Sequence, residues 1–480
     1  MRCFTQNNEK DCASSASFAV AQHTMSTFRT LAIANPDELV FGRCPRPVTV
    51  GDGIVLGGGD VFPEINYALP YETEVSARTM DDVDCLYARM ADGALQRAYE
   101  LEMTGIVIEA ELVYDLTIHP EWGERVVRTT RECIDAYRAK GVRAALRTTV
   151  ADIRELERPP RNRTGAETER MFESFERCAP YSDILSIEST GGKEISDNAI
   201  LFCDTASLLF AVGELASRDM AFIWERIVDI ARVHGAIAGG DTACSSANTA
   251  MQLARKRMIP TVFATVARAV GAARSLVAYE HGAVGPSKDC AYEGPIMKAI
   301  AGVPIAMEGK SAACAHSSAI GNVAMACCDL WSDESVPYTQ LFGGFTPEVL
   351  LEQLWYDCKL MNAATRNGSA RAIQQALCDS DAHTSAEALV LTPESSVRIA
   401  RAIVGADGYG ERALRAAREA LAIVRENVDG GTLRIPENER PWLDRIAADL
   451  DAYEALGANA FAFYAREHAS AFLAREYGFD

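Results

Sequence analysis

The sequence predicts an α/β protein, a (β/α)8 TIM-type barrel with additional helical segments. Three observations point there. Short apolar runs alternate with longer stretches between residues 78 and 400. The longer stretches place apolar residues three and four apart, the period of a helix with one buried face. The length of 480 residues suffices for a barrel core plus extensions. Such alternation argues for a parallel sheet closed by crossover helices, with a doubly wound open sheet as the alternative.

The strands are expected at Gly105–Leu112, Val142–Val150, Asp183–Thr190, Ala236–Gly239, Thr261–Ala264, Ser275–Glu280 and Val303–Glu308. The helices between them are expected at Asp81–Met103, Gly123–Ala139, Ala166–Cys178, Phe222–His234 and Asn248–Met258. The glycine-rich Val50–Pro70 does not spell a dinucleotide loop, since GDGIVLG is not GxGxxG and Pro63 follows where a phosphate-capping helix would start. It reads as a long loop packed on the barrel. The domain expectation is a poorly ordered N-terminal extension (1–24), a barrel with an N-terminal loop segment (25–384) and a helical C-terminal region (385–480).

Composition excludes several classes. The net charge of −20, with no basic cluster, argues against nucleic acid and anionic membranes. No run approaches 18 apolar residues, so no membrane span is expected, and residues 1–24 lack the apolar core of a signal peptide. Fourteen cysteines without an export signal point to free thiols in a reducing cytoplasm. No short-spacing metal motif occurs.

In a barrel, chemistry collects where strands run into the following loops. Those ends carry Glu109 and Glu111, Arg147 and Asp152, Glu188, Asp241 and Cys244, Glu280 through Cys290, and Glu308, Lys310, Cys314 and His316. Glu109 and Glu111 are read as facing opposite ways, one of them toward a helix. Glu188 ends an apolar run, so it should meet a cation, a metal or backbone donors. Cys314 and His316 suit metal ligation or plain packing.

Cys244 lies in AGGDTACSSANTAM, residues 238–251. Gly239-Gly240 permits a tight turn, and Ser245 or Ser246 is expected to cap the following helix. A thiol at a helix N-terminus has a lowered pKa. Packing and function both remain open for it on this basis, including a metal-independent thiol enzyme with Cys244 as nucleophile and His281 or His316 as base.

Longer motifs add a resemblance. FPEINY (62–67), LSIESTGGKE (185–194), AGGDTACSSANTAM, RSLVAYEHGAVGPSKDCAYE (274–293) and MEGKSAACAHSSAIGNVAMACCD (307–329) closely resemble the methanol:corrinoid methyltransferases. The likeness runs from about Met25 to the C-terminus. It implies one zinc per chain, held by the glutamate of SIES, Glu188, and the cysteines of GGDTAC and GPSKDC, Cys244 and Cys290. It also implies methanol as methyl donor, a cobamide supplied by a partner corrinoid protein, and a homodimer assembling with that subunit. Another methyl donor, such as a methoxylated aromatic or another small alcohol, would use the same ligands.

Hydroxide is a poor leaving group, so a Lewis acid on the alcohol oxygen is needed. Two thiolates and a carboxylate leave the site with net negative charge, which calls for a proton or hydrogen-bond donor. Lys193, Lys310 and His316 are the candidates. Glu109, Asp241 and Glu280 are expected to support the ligands. No D-x-H-x-x-G corrinoid signature occurs, so the cobamide must arrive on the partner.

Overall fold

The computed structural model describes residues 27–70, 72–310, 319–337 and 339–477. The expected N-terminal extension, Cys314 and His316 lie outside the described residues.

Among the described residues, seven parallel strands form one sheet. After a hairpin of β1 (Arg43–Val50) and β2 (Ile54–Gly58), they are β3 (Phe62–Tyr67), β4 (Ile106–Glu111), β5 (Ala144–Ala151), β6 (Ile184–Glu188), β7 (Ile237–Asp241), β8 (Ala306–Glu308) and β9 (Leu330–Ser335). The order β7-β6-β5-β4-β3-β9-β8 curls the sheet, because the first strand, β3, pairs with the last, β9. The gap between β7 and β8 is filled by irregular backbone. Val284 and Gly285 donate their N–H groups to the carbonyls of Ala238 and Gly239 on β7, at 2.9 and 2.8 Å. On the other side, a side chain at Gly285 would strike the Pro304 carbonyl just before β8. The barrel therefore has eight staves, one of them not a regular strand.

Two expected strands are wrong. Thr261–Ala264 and Ser275–Glu280 are the two ends of one helix, Thr261–Glu280. Every residue from Val262 to Glu280 is buried, so no polar face records the helical period, and the short apolar runs at its ends imitate strands. This helix is also long and apolar enough to cross a membrane, and it lies inside the protein instead. Two strands of the seven-stranded sheet were not anticipated. β3 is fully buried, with Pro63 at its second residue, where a proline is tolerated. β9 carries the polar run Ser332–Ser335, which hides a buried strand. The Val50–Pro70 "loop" is thus the turn of the hairpin, β2 and β3.

The hairpin plugs the N-terminal mouth of the barrel. Val50, Ile54 and Leu56 pack with Phe62, Val107, Ala145, Ile184, Ala306 and Leu330 at the strand starts. Inside the barrel, Arg147 of β5 ties several staves together. It pairs with Glu64 of β3 at 2.6 Å and donates to Ser186 of β6 and to the Pro286 carbonyl at 2.9 and 3.0 Å. With one mouth sealed and the middle filled, access remains at the C-terminal ends of the strands. The helices after residue 385 share one apolar core with the barrel, and Arg412 pairs with Glu280 at 2.9 Å.

Candidate metal centre

Three donors from three staves meet above the barrel. Glu188 is the last residue of β6, Cys244 follows β7, and Cys290 follows the irregular stave. One oxygen of Glu188 and the two sulfurs all lie within 4.8 Å of one another. The Cys290 thiol donates to Glu188 Oε1 at 3.0 Å. Glu188 and Cys244 open onto a cavity of ≈ 380 Å³, walled also by Glu111, Asp152, Lys193 and Asn248. No histidine lines it among the described residues. His281 caps the far end of the Thr261–Glu280 helix.

The local sequence explains the convergence. A side chain at Gly239 would strike Ser186 Oγ and the Pro286 carbonyl, and one at Gly240 would strike Tyr279 and Ser287. The two glycines therefore let the irregular stave lie directly against β7. Ala291 N–H then donates to Thr242 Oγ1 at 3.0 Å, and Glu293 accepts from Ala243 N–H at 2.8 Å. These bonds stitch the Cys290 loop to the Cys244 turn.

The expected capping of that turn is not found. Cys244–Asn248 is a π-helical turn whose start has no side-chain cap, and it leads into a short helix, Thr249–Arg255. The expected lowering of the Cys244 pKa fails too. The Cys290 thiol favours the Cys244 thiolate, but burial and the neighbouring Glu188 charge outweigh it and push Cys244 up to about 11. Asn248 Nδ2 donates to Cys244 Sγ at 3.4 Å.

The expected supporting residues divide. Asp241 accepts from Ser189 N–H at 3.1 Å and Ser189 Oγ at 2.6 Å, so it anchors the residue after Glu188. Arg274 and Trp224 hold Asp241 in turn. Glu109 lies in the charge cluster described next. Glu280 belongs elsewhere, since it sits in the long helix and pairs with Arg412. Lys193 lines the cavity and pairs with Asp197 at 2.9 Å. Lys310 pairs with Asp357 in a different cavity, beside Trp331 and Tyr356.

The sequence reading missed Lys288. Its ammonium is buried and lies 3.0 Å from Glu109, 3.3 Å from Glu111, 3.4 Å from Asp289 and 3.6 Å from Glu188. Glu109 and Glu111 thus point the same way, as residues two apart in a strand must, and the expectation of opposite faces is corrected. Burial works to lower the Lys288 pKa, yet the surrounding carboxylates hold it well above the ordinary lysine value. Burial pushes Glu109 up to about 8 in spite of Lys288. The signal for Lys288 was its place in GPSKDC, two residues before Cys290.

Known proteins resemble this chain over most of its length. A family model described as methanol-cobalamin methyltransferase B subunit matches residues 25–475. The methanol–corrinoid protein co-methyltransferase of Methanosarcina barkeri (strain Fusaro / DSM 804) is 39% identical over 432 residues, which is 88% of this chain and 92% of that protein. A chain in the crystal structure of the methanol:cobalamin methyltransferase complex MtaBC from Methanosarcina barkeri matches with a TM-score of 0.90 and 37% identity. That match covers 95% of this chain and 100% of that one.

Proposed function

Because the chain belongs to the methanol-cobalamin methyltransferase B-subunit family, we propose that it moves the methyl group of methanol onto the cob(I)amide of a partner corrinoid protein, using zinc held by Glu188, Cys244 and Cys290. The chain is a methyltransferase by family. The observation that carries the finer reading is the donor set itself, one carboxylate and two thiols within 4.8 Å at the edge of an open cavity.

The donors fit the ion. Two sulfurs and an oxygen suit a borderline-soft dication, and three protein ligands leave a fourth tetrahedral position for substrate. Zinc held there would act as a Lewis acid toward the alcohol oxygen.

The remaining work falls to the chain's own residues. Asn248 steadies Cys244 through its amide. Asp241 steadies Glu188 through Ser189. The methyl carbon exchanges its bond to oxygen for a bond to cobalt, and the oxygen leaves with a proton as water. Of the proposed proton donors in the described residues, Lys193 alone borders this cavity. The wide opening suits a corrin ring brought by a partner, since the cavity exceeds what methanol needs. Free thiols throughout the described chain suit a reducing compartment.

One assay with two readings tests this. Zinc per chain is measured first, and the conversion of cob(I)alamin to methylcobalamin with methanol is then followed by absorbance. Stoichiometric zinc and methanol-dependent conversion are expected. Conversion by metal-free protein would overturn the mechanism, and turnover of methoxyarenes with methanol ignored would overturn the substrate.

A further inference from the structure

We propose that Lys288 is a positioning residue that aligns Glu188 and Cys290 for metal binding, an inference that rests on the zinc reading above. A buried ammonium is costly unless carboxylates surround it. Here they do so asymmetrically. Glu109 and Glu111 of β4 hold the ammonium at 3.0 and 3.3 Å, while Glu188 of β6 lies at 3.6 Å. Each β4 carboxylate is itself anchored. Glu109 Oε1 accepts from Thr149 Oγ1, and Glu111 Oε2 accepts from Asn66 Nδ2 at 2.8 Å. Lys288 therefore transmits a fixed reference point, built on β3, β4 and β5, to the Glu188 carboxylate.

The same side chain acts on the second donor through the backbone. Lys288 is two residues before Cys290, on the irregular stretch after the Val284–Gly285 stave. Between the bonds made by Gly285 and by Ala291, the backbone has no strand ladder to fix its register. Anchoring its lysine in the barrel interior supplies that register and sets where the Cys290 sulfur falls. Its fixed positive charge also offsets the surplus negative charge of two thiolates and a carboxylate around one dication. Neither Lys193 nor Lys310 can substitute, because each pairs with an aspartate on its own helix or in another cavity.

The test compares wild type, Lys288→Met and the double variant Lys288→Met/Glu109→Gln, each loaded with Co2+ in place of zinc. The expected result for Lys288→Met is a shifted cobalt absorption spectrum and roughly tenfold or greater loss of Co2+ affinity in competition with a chelator. With zinc restored, kcat should fall while KM for methanol holds. The double variant also removes the carboxylate nearest the lost ammonium, which lessens the buried repulsion should the single variant fail to fold. It should still show the altered spectrum. A merely structural ion pair predicts instead that the double variant regains the wild-type spectrum and affinity, and that result would overturn the proposal. So would an unchanged spectrum in folded Lys288→Met. Wild type that takes up no Co2+ would overturn the zinc reading itself, and this inference with it, before any variant is compared.

Discussion

Two buried charge clusters touch the Glu188–Thr190 segment, and they are built on opposite plans. Around Arg154, every donor is used. Its guanidinium bonds both oxygens of Asp152 at 2.7–2.8 Å, both oxygens of Asp219 at 2.8 Å, and the Asn162 carbonyl at 2.7 Å. Around Lys288, one ammonium faces four carboxylates, and Glu109 Oε2 has no hydrogen-bond partner among the described residues. The fully bonded cluster locks a loop, since Asp152 also accepts from Thr190 N–H at 2.8 Å, just after Glu188. The surplus cluster borders the donor set and favours a further cation. Donor supply thus separates a strut from a site, although both are buried and both hold more carboxylates than cations.

The contrast can be broken from either end. The largest effect should come from the donors. Cys244→Ala and Cys290→Ala should lose zinc on dialysis and methyl transfer with it, a loss of more than about a hundredfold, while Glu188→Gln weakens zinc binding. Metal analysis checks this, and full zinc retention in Cys290→Ala would sink the ligand set. Next comes the strut. Arg154→Met leaves Asp152 and Asp219 buried without the cation that pairs them and should cost about 3–5 kcal/mol of stability in urea unfolding. The folded fraction should still bind zinc.

The smallest effect should come from Asp333, a buried carboxylate on β9 with no ion pair among the described residues. Burial, helped by the charge of Asp289, pushes it up to about 8. Between pH 4 and 8 the folded chain therefore binds a proton that the unfolded chain has already lost, so this group's contribution to stability falls as pH rises. Asp333→Asn has no such loss. Its melting temperature should gain on wild type by a few degrees as pH is raised from 5 to 8.5, and equal slopes would count against the shift.

Much of the barrel was legible in the sequence, because β4 to β8 are apolar runs set between helices of clear period. The exceptions have physical causes. The buried helix Thr261–Glu280 has no wet face, β3 begins around a proline, and β9 is polar yet buried. The donors were invisible to spacing rules, since 56 and 46 residues separate Glu188, Cys244 and Cys290, and only the longer motifs tied them together. Lys288 was invisible for another reason. Lysine reads as a surface residue, and nothing local announces the carboxylates that meet it from distant strands.

The irregular stave between β7 and β8 has a consequence for how the protein matures. Cys290 hangs from the piece of backbone that completes the ring, and its carboxylate neighbour Glu188 lies 102 residues earlier. Contacts so distant in sequence form late, after the cost of closing long loops is met. The donor set therefore exists only once the ring is shut, so a nascent or partly folded chain has no high-affinity pocket to be filled by the wrong ion. On the proposed zinc reading, metal loading would be a final step of folding, and retained zinc would report a correctly closed barrel.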